Sequence, residues 1–131
     1  MGFAEELYFR GIIPRILRSN GRVFSILLSS FLFSVGHFFN LLAGASVGMT
    51  ILQVVFAFIF GVVAVEIRML SGSIGIVVVW HFLHNFLSLI TVSNQGVFGV
   101  LLGIFQGTVL VLYALYLRKK LFNDVGAKEA K

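Results

Sequence analysis

Seven polar side chains stand in or beside stretches of this chain that are otherwise apolar: Glu5, Glu6, Arg10, His37, His81, His84 and Asn85. A charged group at the centre of a bilayer costs roughly 2.5 to 3.5 kcal/mol on insertion scales, so such residues turn toward a bundle interior. There they do chemistry, relay ions or hold helices together. Carboxylates and imidazoles are the groups of general acid–base catalysis, and an imidazole or amide can donate to a developing oxyanion.

Spacing assigns these residues to faces. Neighbours on a helix point about 100 degrees apart, so Glu5 and Glu6 face different ways. Arg10 follows Glu6 by four residues in the favourable Glu-to-Arg order. Glu6 can therefore be neutralised on its own helix as a structural ion pair, which leaves Glu5 as the candidate general base. His81 and Asn85 are also four apart and share a face, with His84 beside Asn85. His37 follows Gly36, which has no side chain to block a neighbouring helix.

The elements that must position these groups are membrane helices. The 131 residues are 59% hydrophobic and only 11% charged, which excludes an ordinary soluble domain. Apolar runs at 24–42, 49–65, 74–92 and 97–117 are each long enough to span a bilayer. A shorter helix over 3–17, bent by Gly11 and Pro14, precedes them. Turn-rich connectors fall at 19–21, 43–48, 71–73 and 93–96. The expected fold is thus an all-α polytopic bundle of about four full spans plus a short leading helix. Residues 1–120 form its core, and 121–131 form a disordered basic tail.

The net charge of +5 does not point to nucleic acid, because the cations sit between apolar runs rather than on one polar face. Arg15, Arg18, Arg22, Arg68, Arg118, Lys119 and Lys120 all fall on one side if the four runs span, and the positive-inside rule makes that side cytoplasmic. The absence of cysteine removes disulfides, thiolate metal sites and a thiol nucleophile. The opening residues lack the basic start of a secretory signal, and Glu6 stands where a myristoylation motif needs Ser or Thr. Gly36, Gly61, Gly75, Gly99, Gly103 and Gly107 are expected to permit close helix packing. The 15 phenylalanines are expected to face lipid or fill the core.

Depth gathers the polar residues. At about 1.5 Å per residue, His37 lies roughly 22 Å from Arg22, His81 roughly 13 Å and Asn85 roughly 19 Å from Gly72, and Glu5 roughly 20 Å from Arg18. Three helices thus offer a carboxylate, two imidazoles and an amide at one level, where they can surround a single water-filled cavity.

Three motifs then carry a resemblance. Glu5-Glu6-Leu-Tyr-Phe-Arg10 resembles EExxxR, Phe33-Ser-Val-Gly-His37 resembles FxxxH, and His81-Phe-Leu-His-Asn85 resembles HxxxN. In that order, each on a predicted helix, they are similar to the type II CAAX prenyl protease and bacteriocin-processing (CPBP, or Abi) intramembrane proteases, over about residues 3–89. The resemblance implies an intramembrane endopeptidase acting on peptide or prenylated, CAAX-type peptide bonds. Glu5 and His37 would activate water, His81 and Asn85 would stabilise the oxyanion, and Glu6 and Arg10 would hold the site. No cofactor is expected; the alternative is a zinc ion on Glu5, His37 and His81.

His84 is an additional imidazole with a supporting role. Family members usually carry spans ahead of the EExxxR helix, so the chain is expected to be a fragment, a short form or the companion of a partner subunit. The expected place is a prokaryotic cell membrane. The rival readings are a non-catalytic bacteriocin self-immunity or scaffold protein, and a transporter subunit relaying protons.

Overall fold

Backbone in hydrocarbon has no partner but itself, and the described residues of the computed structural model are accordingly helical, with no strand among them. The structure describes the backbone of residues 2–91 and 97–129, and the side chains of 2–86, 97 and 101–123. The α-helices are α1 (Gly2–Glu6), α2 (Ile13–Ile16), α3 (Arg22–Val35), α4 (Val47–Ser71), α5 (Ile74–Thr91) and α6 (Val97–Glu129). A π-helical stretch, Leu7–Ile12, joins α1 to α2, and 3-10 turns occupy Leu17–Asn20 and Gly36–Leu41.

The all-α membrane bundle stands. Among the described residues, three segments are long and apolar enough to cross a membrane: Arg22–Leu41, Val47–Ser71 and Leu101–Asn123. The fourth expected span corresponds to α5, whose 18 residues reach only the short end of the spanning range. Val92 and the connector at 93–96 lie outside the described residues.

Helix α4 is the hub, because its buried residues surround the helix rather than lining one stripe. Ala57, Phe60 and Ala64 pack with Phe33 of α3 and Val77 of α5. Val62 and Val65 meet Ile26 of α3 and Leu121 of α6, and Val63 meets Leu110 and Leu117 of α6. The ends of α4 follow from its sequence. The Ser46 hydroxyl accepts from the Met49 N–H at 3.3 Å, and Gly72 closes the helix at φ +69°, a conformation that glycine takes without strain.

Helix α6 runs as far as Glu129, and Leu121 packs on Ile26 and Val65. One expectation changes. Among the described glycines, only Gly61 marks a close approach between helices: a Cβ there would lie 3.0 Å from the Ser30 Cβ and 3.1 Å from its Cα. Gly103 and Gly107 face nothing within 4 Å. They precede Leu110, the first buried residue of α6 among those described, so the helix is not yet closely packed there. The side-chain surroundings of position 99 lie outside the described residues.

Candidate active site

The site begins with a proline. Pro14 has no N–H, so whichever carbonyl the local register would pair with it is left without a donor. The Ile13 N–H reaches back five residues to the Tyr8 carbonyl, and the next bond in that π register would run from Pro14 to Phe9. The Ser29 hydroxyl of α3 donates to the Phe9 carbonyl instead. One side chain thus repairs the break and ties the leading segment to α3. Such π segments recur at functional sites because they re-aim neighbouring side chains.

Here both Glu6 and Arg10 turn inward and are buried, while Leu7, Tyr8 and Ile12 stay exposed. Glu6 Oε1 accepts from His81 Nδ1 of α5 at 2.5 Å, and Glu6 Oε2 lies 3.1 Å from Arg10 Nε. The Arg10 guanidinium sits over the Phe33 ring, its Cζ 3.9 Å from the centroid. None of the three guanidinium nitrogens makes an aligned hydrogen bond among the described residues. Charge and the aromatic face therefore hold Arg10, a pairing strengthened where water is excluded.

Phe33 joins the histidines. His37 meets it edge-on at a centroid distance of 5.0 Å, and His81 does so at 5.9 Å. His37 does not lie on α-helix as expected but in the 3-10 turn after α3, with Nδ1 3.1 Å from the Phe33 carbonyl. That side-chain bond competes for the oxygen to which the α register would direct the His37 backbone N–H. A carbonyl can only accept, so Nδ1 carries the hydrogen and Nε2 is the ring atom left for chemistry. The same logic applies to His81, because the Glu6 carboxylate accepts from Nδ1 and leaves Nε2 to face a reactant.

The expected division between the two glutamates shifts. Glu6 does pair with Arg10, yet its second oxygen also holds His81, so Glu6 is the joint between α1 and α5. Glu5 is half-buried beside it, is next after Glu6 among the charges acting on Arg10, and makes no hydrogen bond or ion pair among the described residues. Asn85 lies one turn beyond His81 on the same face of α5 and is exposed. The structure thus brings together Glu6, Arg10 and His81, places His37 across Phe33, and sets Glu5 and Asn85 on the margins. Among the described residues, no three His, Asp or Glu side chains gather as ligands for a metal ion.

His84 is held from the opposite side: it stacks on Phe56 with centroids 5.5 Å apart and contacts Gln106 of α6 at 3.0 Å. Gln106 was not legible as a partner, because nothing in the spacing along one helix reveals a contact to the next. Ser29 was missed for the same reason. Glu66 was missed for another. It ends the apolar run 49–65, and its partner Arg118, 3.0 Å away, ends the last run. Their shared side of the bilayer was the available signal.

Compared with known proteins, residues 1–87 match the family model described as type II CAAX prenyl endopeptidase Rce1-like. No curated protein and no solved structure matches the chain.

Proposed function

The chain belongs to the Rce1-like family of type II CAAX prenyl endopeptidases, and from that membership we propose that it hydrolyses peptide bonds of CAAX-type, prenylated peptides within the membrane. Membership supports intramembrane endopeptidase chemistry, and the helical bundle supports an integral membrane protein. The observation that carries the reading to this chain's own residues is the 2.5 Å contact of Glu6 with His81. It draws the helix of the two glutamates against the helix of His81 and Asn85.

In this reading Glu5, aided by the free Nε2 of His37, takes a proton from water as its oxygen attacks the scissile carbonyl carbon. His81, carrying a hydrogen on both ring nitrogens, donates from Nε2 to the oxyanion together with the Asn85 amide. Collapse of the tetrahedral intermediate breaks the C–N bond, and the proton held by Glu5 passes to the leaving amine. Glu6 and Arg10 are positioning residues: the carboxylate orients the His81 ring and the guanidinium orients the carboxylate. The zinc alternative is the less supported of the two, since no three-ligand group is gathered among the described residues.

The test is a cleavage assay on the purified chain in detergent, with prenylated and unmodified peptides, with and without a chelator. The expected result is cleavage of the prenylated peptide that survives chelation and is lost in Glu5→Gln. Chelator-sensitive cleavage, or a Glu5→Gln variant as fast as wild type, would overturn the glutamate mechanism. A folded wild-type chain that cuts neither peptide would favour the scaffold reading.

A further inference from the structure

The basic end of the bundle holds a second feature that the proposed chemistry does not use. Val111, Leu115 and Arg118 recur on one face of α6 and, with Leu27 of α3 and Phe58 and Val62 of α4, line a groove of about 200 Å³. The walls are apolar except at one end, where Arg118 stands. From Val111 to Arg118 the groove runs roughly 10 Å along the helix, the length of part of an acyl chain.

Arg118 is fixed there. Its Nε lies 3.0 Å from Oε1 of Glu66, whose side chain is wholly buried, while 34% of the arginine side chain remains exposed. A guanidinium carries five N–H donors, so its terminal nitrogens remain available to a second acceptor. Arg22 reaches the same end, donating Nη1 to the Leu121 carbonyl at 3.3 Å, and Lys119 and Lys120 follow Arg118 in sequence. A buried carboxylate thus aims one cation at the mouth of an apolar trough, and Arg22 stands at the same end.

We propose that this groove binds a glycerophospholipid with an anionic headgroup, one acyl chain lying in the trough and the phosphate resting on Arg118 near Arg22. The charge of the groove's end is complementary to such a headgroup, and basic recesses between membrane helices recognise these lipids. A free phosphate would gain nothing from the apolar wall. A prenyl chain would gain nothing from the cations. The lining includes none of the proposed catalytic groups.

The test is native mass spectrometry of the full chain in detergent, with phosphatidylglycerol and phosphatidylcholine of identical acyl chains. Wild type is expected to retain phosphatidylglycerol about fivefold better or more, the worth of a single cation near the headgroup. Glu66→Gln combined with Arg118→Gln, which leaves no unpaired buried charge, is expected to abolish that preference. Ala114 of α6 also lines the trough, and Ala114→Phe, which fills it and leaves the charges intact, is expected to lower retention of both lipids. Equal retention by wild type, or a preference that persists in the double variant, would overturn the proposal. So would displacement of the lipid by glycerol phosphate alone, or by a farnesylated peptide.

Discussion

Glu6 and Glu66 are both wholly buried carboxylates paired with an arginine, yet they sit in different company. Glu6 has a buried arginine on one oxygen, a histidine on the other, and a second carboxylate beside it in the chain. Glu66 has only Arg118, which is partly exposed, and Oε2 of Glu66 has no partner among the described residues. The first pair lies where α1 and the π segment meet α3, α4 and α5. The second bridges α4 and α6 at the basic end. A buried ion pair alone therefore does not mark a candidate active site; the imidazoles and the neighbouring carboxylate make the first pair the candidate.

The largest effect should come from breaking the Glu6 cluster. Arg10→Ala leaves a buried carboxylate facing only His81 and is expected to cost about 3 to 5 kcal/mol, as for a buried pair deprived of one partner. Equilibrium unfolding in mixed micelles measures it. Arg118→Ala should cost less, about 1 to 3 kcal/mol, because its partner already stands near the solvated end. Equal losses would erase the distinction between the two pairs.

Activity should separate the regions more sharply than stability does. Glu5→Gln is expected to lower the cleavage rate at least as far as loss of one oxyanion donor, about 10² to 10³-fold, with little change in unfolding. Glu66→Gln combined with Arg118→Gln should leave the cleavage rate within about twofold of wild type. A large loss of rate in that double variant would tie the basic end to catalysis.

Much of this was legible in the sequence. The apolar runs gave the helices, and the three motifs named Arg10, His37 and His81, which gather around Phe33, along with Glu5 and Asn85, which lie at the margins. What spacing could not supply was the third dimension. The i, i+4 rule correctly paired Glu6 with Arg10, but the inference that Glu6 was thereby occupied overlooked that a carboxylate has two oxygens. The π register was hidden for a related reason. Pro14 announced a lost hydrogen bond, while the residue that restores it, Ser29, lies on another helix.

The packing of α3 on α4 offers a smaller contrast. Gly61→Ala would place a methyl 3.0 to 3.1 Å from the Ser30 Cβ and Cα, and the backbone atom cannot swing aside. Overpacking of this kind is expected to cost about 1 to 3 kcal/mol. Gly103→Ala, with nothing within 4 Å of the new methyl, should be neutral or slightly stabilising, since alanine is the better helix former. Thermal unfolding of the two variants side by side measures the difference. Equal effects would mean that α6 meets a neighbour at Gly103.

The finest test separates the π segment from an ordinary helix. If Ser29 supplies the hydrogen bond that Pro14 cannot, Ser29→Ala leaves the Phe9 carbonyl without a donor and should cost about 1 to 3 kcal/mol. Pro14→Ala restores a backbone N–H to the same turn, so in that background the Ser29→Ala cost should shrink by about 1 kcal/mol, a coupling that a double-mutant cycle resolves. Additive costs would mean that the serine and the proline act independently, and the hydroxyl would then be only a tether between helices. The same four proteins can be assayed for cleavage. If Pro14→Ala lets the turn revert to α register, Glu6 rotates away from His81 and the rate falls, although the variant has gained a hydrogen bond.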